Sequence, residues 1–313
     1  MPIPHSALPA PVENERFDHS RHTHAHHELA QDRAADFEGS VLHDEAMPLA
    51  SSLSDGHVAI STPAHNYLVH SYNHPNPHAP HIPKGWADAT VNGMYAAAEA
   101  PHLVVHGHAF VHPEDERHHP YWAKHLDRGI MPISLLNSHK VPPHVAERIR
   151  RESAKVAIMD YLTGYSTRGS STVGIKVDPA TGHATHLVAT DNSHAFNYED
   201  PATTHLAHLL KNSWYPMSHA GVYTDIQKEQ ALKGAIQWAV EHGPYIRKAF
   251  VANLHSIHDD ELKMHLLSNF MKRYDSLHQM SHDYKLGARF ADILNHKSVD
   301  APGSVASKYS IEG

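Results

Sequence analysis

The period of the hydrophobic pattern changes along this chain, and that change constrains the fold more than any other feature. Between residues 57 and 72, HVAIS and NYLVHSY alternate apolar and polar residues. A period of two sends successive side chains to opposite faces of a strand, so the pattern predicts two strands of a small sheet. HLVVHGHAFVH, 102–112, reads as a further strand pair split at Gly107. Between these lies the Ala-rich segment WADATVNGMYAAAEA, 86–100, which reads as a helix. HPNPHAPHIPKG, 74–85, carries four prolines and reads as a loop. GIMPISLLN, 129–137, is a short apolar strand or connector.

Beyond residue 140 the period lengthens to that of a helix. VPPHVAERIRRESAKVAIMDYLTG opens with prolines suited to a helix N-terminus. Val145, Ile149, Val156, Met159 and Leu162 recur at helical spacing and predict one buried stripe. TVGIKV, DPATG and HATHLVAT then read as strand, turn and strand. Helical segments are expected near 202–212, 225–242 and 259–280, the middle one stopped by Gly243-Pro244. No internal repeat is visible. The fold class is therefore α+β, with a strand-rich first part around one helix and a mainly helical second part.

Composition sets the outer limits. A chain of 313 residues can bury a core for one or two domains. The absence of cysteine removes disulfides, thiolate zinc sites and Cys nucleophiles together. No apolar run approaches the roughly 18 residues of a membrane span, so no transmembrane segment is expected. MPIPHSALPAPVENER lacks the basic and apolar regions of a secretory leader, which leaves the cytoplasm as the default location. Net charge is -8 with histidine neutral, and no basic stretch stands out. A nucleic-acid partner is accordingly not expected.

The 35 histidines are unusual. Near pH 6.5 half of them would be charged, adding about 17 charges and carrying the net charge to roughly +9. They fill surface positions, or they make a pH sensor or metal buffer. His19, His22, His24, His26 and His27 cluster in a Pro-rich, polar N-terminal stretch that reads as a solvated tail. His112, His118 and His119 read as loop residues. His255 and His258 lie near a helix start beside Asp259 and Glu261. Glu261 with His265, and His278 with His282, share helix faces. Such pairs could hold Zn with a third ligand from elsewhere. No His-Glu-x-x-His is present, which leaves a zincin protease unsupported. Trp86, Trp122, Trp214 and Trp238 read as core packing.

Four blocks in order carry a resemblance. They are NYLVHSY (66–72), GWADATVNGMYAAA (85–98), MDYLTGYSTRGSST (159–172) and, after the hairpin, ATDNSHAF (189–196). Together they resemble the phosphatidylinositol 3- and 4-kinase-like group, which includes atypical bacterial kinases. The resemblance implies a protein-kinase-like bilobal fold, with lobes meeting near 129–140 and with ATP and Mg bound between them. It implies an N-lobe at 51–135 and a C-lobe at 136–297; the Pro-rich, polar segment 1–50 reads as weakly structured on its own composition, and 298–313 as a loose tail.

The departures from that group fall on its chemistry. Phosphoryl transfer needs positive charge on the phosphates, a held metal and a carboxylate that orients the nucleophile. The resemblance puts His70 where the strand Lys belongs, with Asp88 as the acidic helix residue that would pair it. It puts Thr167 where the catalytic Asp belongs; Arg168 is kept, and Gly169 stands for the His. Thr172 stands for the metal-binding Asn, while Asp191, followed by Asn192, keeps the metal-binding position after the hairpin. Asp160 ends the preceding helix and could stabilise the loop. The hydroxyl-rich loop from Thr163 to Thr172 has no adjacent base to activate a Ser nucleophile.

Three functions are consistent with this pattern. The first is a pseudokinase that keeps the fold and works through an unidentified protein partner or as a structural component. The second is an ATP-dependent phosphotransferase with a rearranged site using Asp191, His70 and Thr172. The third is a His-driven metal- or pH-responsive binding protein. A homo-oligomer is compatible with all three.

Overall fold

In a computed structural model of the chain, residues 47–48, 57–62, 66–71, 75–76, 79–111, 120–125, 129–133, 141–165, 168–169, 171–196 and 225–282 are described. The N-terminal His cluster, His112, His118, His119, Thr167, Trp214, the expected helix at 202–212 and the tail lie outside them.

The alternating runs pair as their period predicts. Strands β1 (Met47–Pro48), β2 (His57–Ser61) and β3 (Asn66–Ser71) lie antiparallel in sequence order. Two later strands, β6 (Gly107–Val111) and β7 (Pro120–His125), complete a five-stranded sheet of order β1-β2-β3-β7-β6. Leu68 stands opposite Lys124, and His70 opposite Trp122. Tyr67, Val69 and Ala123 share the other face as a small buried cluster. Gly107 is required where it stands, because a Cβ there would lie 2.6 Å from the Trp122 ring.

The Pro-rich segment 74–85 is not all loop. Its strands β4 (Pro75–Asn76) and β5 (Ala79–Pro83) form a short two-stranded ladder. Pro tolerates an edge position, because there the missing N–H breaks no ladder bond. Helix α1 (Lys84–Ala97) follows directly. The segment 102–112 contributes one strand rather than two. Its start is a 3-10 turn at Pro101–Leu103, and Val104 makes an isolated parallel bridge to Ala189.

Strand β8 (Ile130–Pro132) joins the hairpin of β9 (Val173–Val177) and β10 (Ala184–Ala189) in a second sheet, ordered β10-β9-β8. Between β8 and β9 runs α2 (Pro143–Thr163). Its five expected stripe residues are all buried. Gly164 ends it at φ 66, a left-handed conformation that glycine adopts without a Cβ clash.

The helical remainder is α3 (Asp225–Glu241), α4 (Gly243–Leu254) and α5 (Asp260–His282). Gly243-Pro244 is both a stop and a start. Pro244 sits in the first turn of α4, where its missing N–H costs no helical bond. One continuous core joins α1, α2, the second sheet and α3–α5. The fold is thus α+β, a strand-rich part around one helix followed by a helical part. Among the described residues no helix is long and apolar enough to cross a membrane.

Candidate active site

The site is built where α1, β7 and the end of β10 meet. Lys124 is the one cation in the strand sequence PYWAKH, and it points to the face that α1 covers. Its Nζ lies 2.7 Å from the Asp88 carboxylate on α1 and 3.8 Å from that of Asp191, two residues beyond β10. A further hydrogen bond goes from Lys124 Nζ to the Thr190 carbonyl at 3.1 Å. Asp88 also accepts the Asn192 backbone N–H at 2.9 Å. The three elements are therefore tied through two carboxylates and one ammonium.

The electrostatics follow from this placement. Burial raises the Asp88 carboxyl, with Lys124 only partly offsetting it. Burial works against the Lys124 ammonium, but the two carboxylates outweigh it and keep the charge on. For Asp191, burial is again opposed; the Lys124 charge and the Ser193 N–H, 2.9 Å away, hold its carboxyl well below the usual range. Asp191 is the more accessible carboxylate, with 28% of its side chain exposed against none for Asp88.

Arg168 braces this group from below. Its Nε and Nη2 donate to the two oxygens of Asp160, at 2.9 and 2.5 Å. Nη2 also donates to Asn192 Oδ1 at 2.8 Å. Nη1 donates to the carbonyls of Asp191 and Thr172, at 2.5 and 3.2 Å. These bonds use all five guanidinium N–H donors. The Tyr165 ring packs on its face at 3.9 Å. Arg168 therefore shapes the loop and has no donor left for a phosphate. Asp160 is likewise spent, buried with both oxygens on Arg168.

The structure brings Asp88, Asp191, Asn192, Arg168 and Thr172 together, with distinct roles. Asn192 is buried, and its Oδ1 accepts from Arg168. The Thr172 hydroxyl donates to the Gly169 carbonyl and accepts the Gly169 N–H, each at 3.0 Å, closing the loop on itself. Thr167 lies outside the described residues.

The structure pairs Asp88 with Lys124, on the strand next to that of His70. His70 stands opposite Trp122 in the ladder, and its side chain lies outside the described residues. Sequence reasoning missed Lys124 because it followed a Pro- and His-rich stretch and was not seen as part of a strand. The available signal was a single Lys flanked by Tyr121, Trp122 and Ala123.

Among the described residues no group of three or more His, Asp or Glu is placed to hold a metal ion. Magnesium is commonly held by one or two carboxylates and completed by water and substrate phosphates; Asp191, part-exposed beside Lys124, is a carboxylate of that kind.

Among solved structures, the chain is similar to the Helicobacter pylori proinflammatory kinase CtkA, with a TM-score of 0.46 and 10% identity over 74% of this chain and 96% of that one. No family model and no curated protein matches the sequence.

Proposed function

We propose that this chain is a pseudokinase: a kinase-fold protein that binds Mg-ATP and acts through a protein partner without transferring phosphate. The observation that carries the reading is the Lys124–Asp88–Asp191 group, in which an ammonium is fixed between a helix carboxylate and the carboxylate that follows the hairpin. Mg-ATP would bring a charged polyphosphate whose γ-phosphoryl is the group other kinases transfer. Lys124 would neutralise phosphate oxygens, Asp88 would hold Lys124 in place, and Asp191 would hold the metal.

Transfer also needs a carboxylate at the nucleophile. No acidic residue lies between Asp160 and Asp178. Both oxygens of Asp160 are bound to Arg168. Thr167, in the expected position, does not ionise at neutral pH. The formed Lys124–Asp88 pair does favour a second reading, an active phosphotransferase with a rearranged site.

Melting with and without millimolar Mg-ATP tests the proposal. Ligand at 100 times its Kd adds about 2.7 kcal/mol. A shift that needs Mg and is lost in Asp191→Ala, with no product formed, supports a pseudokinase. A shift accompanied by ADP formation that Asp191→Ala removes supports the active reading. No shift at any level of Mg-ATP refutes both.

A further inference from the structure

We infer that Trp86 and Trp238 are positioning residues that bolt α1 to the helical part and so keep the Lys124–Asp88 pair permanently assembled; the inference deepens the nucleotide-binding reading and rests on it. Asp88 can meet Lys124 only if α1 stays seated. It is fixed at both ends by indole hydrogen bonds. At its start, Trp86 Nε1–H donates to the Asn253 carbonyl of α4 at 2.9 Å. Just past its end, the Ala98 carbonyl accepts Trp238 Nε1–H of α3 at 3.0 Å. Both bonds join segments more than 100 residues apart in sequence, and both indoles are buried.

The first bolt is continuous with a column of rings. Trp86 packs on Phe196 at 5.1 Å, and Phe196 stacks on Phe250 of α4 at 5.4 Å and 18°. Phe250 stacks in turn on Phe270 of α5 at 4.5 Å. Phe196 lies five residues beyond Asp191 and holds φ 62, a conformation uncommon outside glycine. Its N–H donates to the Thr163 carbonyl at 2.6 Å. The same ring thus fixes the segment of Asp191 and seats the helix of Asp88.

The second bolt is reinforced from α2. Lys155 Nζ lies 4.9 Å from the Trp238 ring centre. On the α1 side, a Cβ at Gly93 would fall in ordinary contact, 3.6 Å, with the Asn253 amide, so α1 and α4 approach closely there.

The test uses the full chain with Trp86→Phe, Trp238→Phe and both together, which keep an aromatic ring and delete one N–H donor each. Met280→Ala, buried near the end of α5 and outside the ring column, is the control for a general loss of packing. Two readouts are taken well below the melting temperature: the Kd for Mg-ATP, and the rate at which an amine-reactive ester labels Lys124, read by peptide mass. Loss of one hydrogen bond corresponds to about a five-fold change. Each Trp variant should weaken Mg-ATP about five-fold and speed Lys124 labelling by a similar factor, with a larger effect in the double variant. Met280→Ala should lower the Tm and leave both unchanged.

Unaltered Kd and labelling in the double variant overturn the inference, as does an equal effect in Met280→Ala. The labelling arm needs no nucleotide. Wild-type protein that binds no Mg-ATP would refute the nucleotide reading, while labelling would still decide whether the indoles hold the pair.

Discussion

Replacing Lys124 with Met should be the most costly change in the strand-rich part. Met fills similar volume but leaves the Asp88 carboxylate, which is fully buried, without its counter-ion at 2.7 Å. Removing one partner of a buried pair costs about 3–5 kcal/mol. In a domain of this size, about 2–4 °C of Tm per kcal/mol applies, so the Tm should fall by roughly 6–20 °C. The loss should also depend on pH. Without Lys124, nothing offsets the burial that already raises Asp88. The folded variant then binds a proton at Asp88 that the unfolded chain releases above about pH 3.9. Its stability is fullest at or below that value. It falls by up to about 1.4 kcal/mol per unit as pH rises toward the folded pKa. Adding Asp88→Asn removes the charge and should recover much of the loss at pH 7.5. Urea unfolding followed by tryptophan fluorescence at pH 5 and 7.5 measures all three proteins. A loss under about 1 kcal/mol, or one that is the same at both pH values, would refute the argument.

Other consequences concern the loop and the sheet. Arg168→Leu strands Asp160 in the core and should cost about 3–5 kcal/mol in urea unfolding; Arg168→Lys should not rescue it, because an ammonium cannot replace a five-donor fork. Gly107→Ala should cost about 1–3 kcal/mol by forcing Trp122 aside, seen as a lower urea midpoint with unchanged slope. Burial lowers His108 to about 4. The unfolded chain then binds a proton near pH 6.5 that the folded state refuses, so stability is complete above that pH and declines as pH falls toward 4. His108→Gln should flatten that decline in a series of pH-resolved melts.

Most of the architecture is legible in the sequence because it rests on period. The alternation of 57–71 and the stripe of 143–163 each have one face to bury, and each element forms as written. The elements that escaped lack such a signal. Strand β7 is PYWAKH, in which the inward Lys124 breaks the apolar alternation. Its partner carboxylate lies 36 residues earlier on another element, so only the fold shows that the charge is matched. For α4, Gly243-Pro244 is the same dipeptide whether a helix ends or begins there, and tertiary packing decides.

The site follows the same division. Asp88 and Asp191 are recognisable from the blocks around them, and the structure brings them to one ammonium. Arg168 is visible as a surviving residue, but its role is not. That role depends on carbonyls and side chains from three segments, 8, 4 and 23–24 residues away. The expected contribution of Thr172 changes for a local reason, because its hydroxyl is already engaged with Gly169.

We propose that the Lys124–Asp88–Asp191 group holds Mg-ATP and leaves it intact. Phosphorus-31 NMR of Mg-ATP with the 313-residue chain addresses both halves in one sample. The β and γ resonances should shift and broaden, Asp191→Ala should abolish the change, and the ATP signals should keep their intensity for hours. Unperturbed resonances, or ADP growing in proportion to wild-type protein but not to Asp191→Ala, would contradict it.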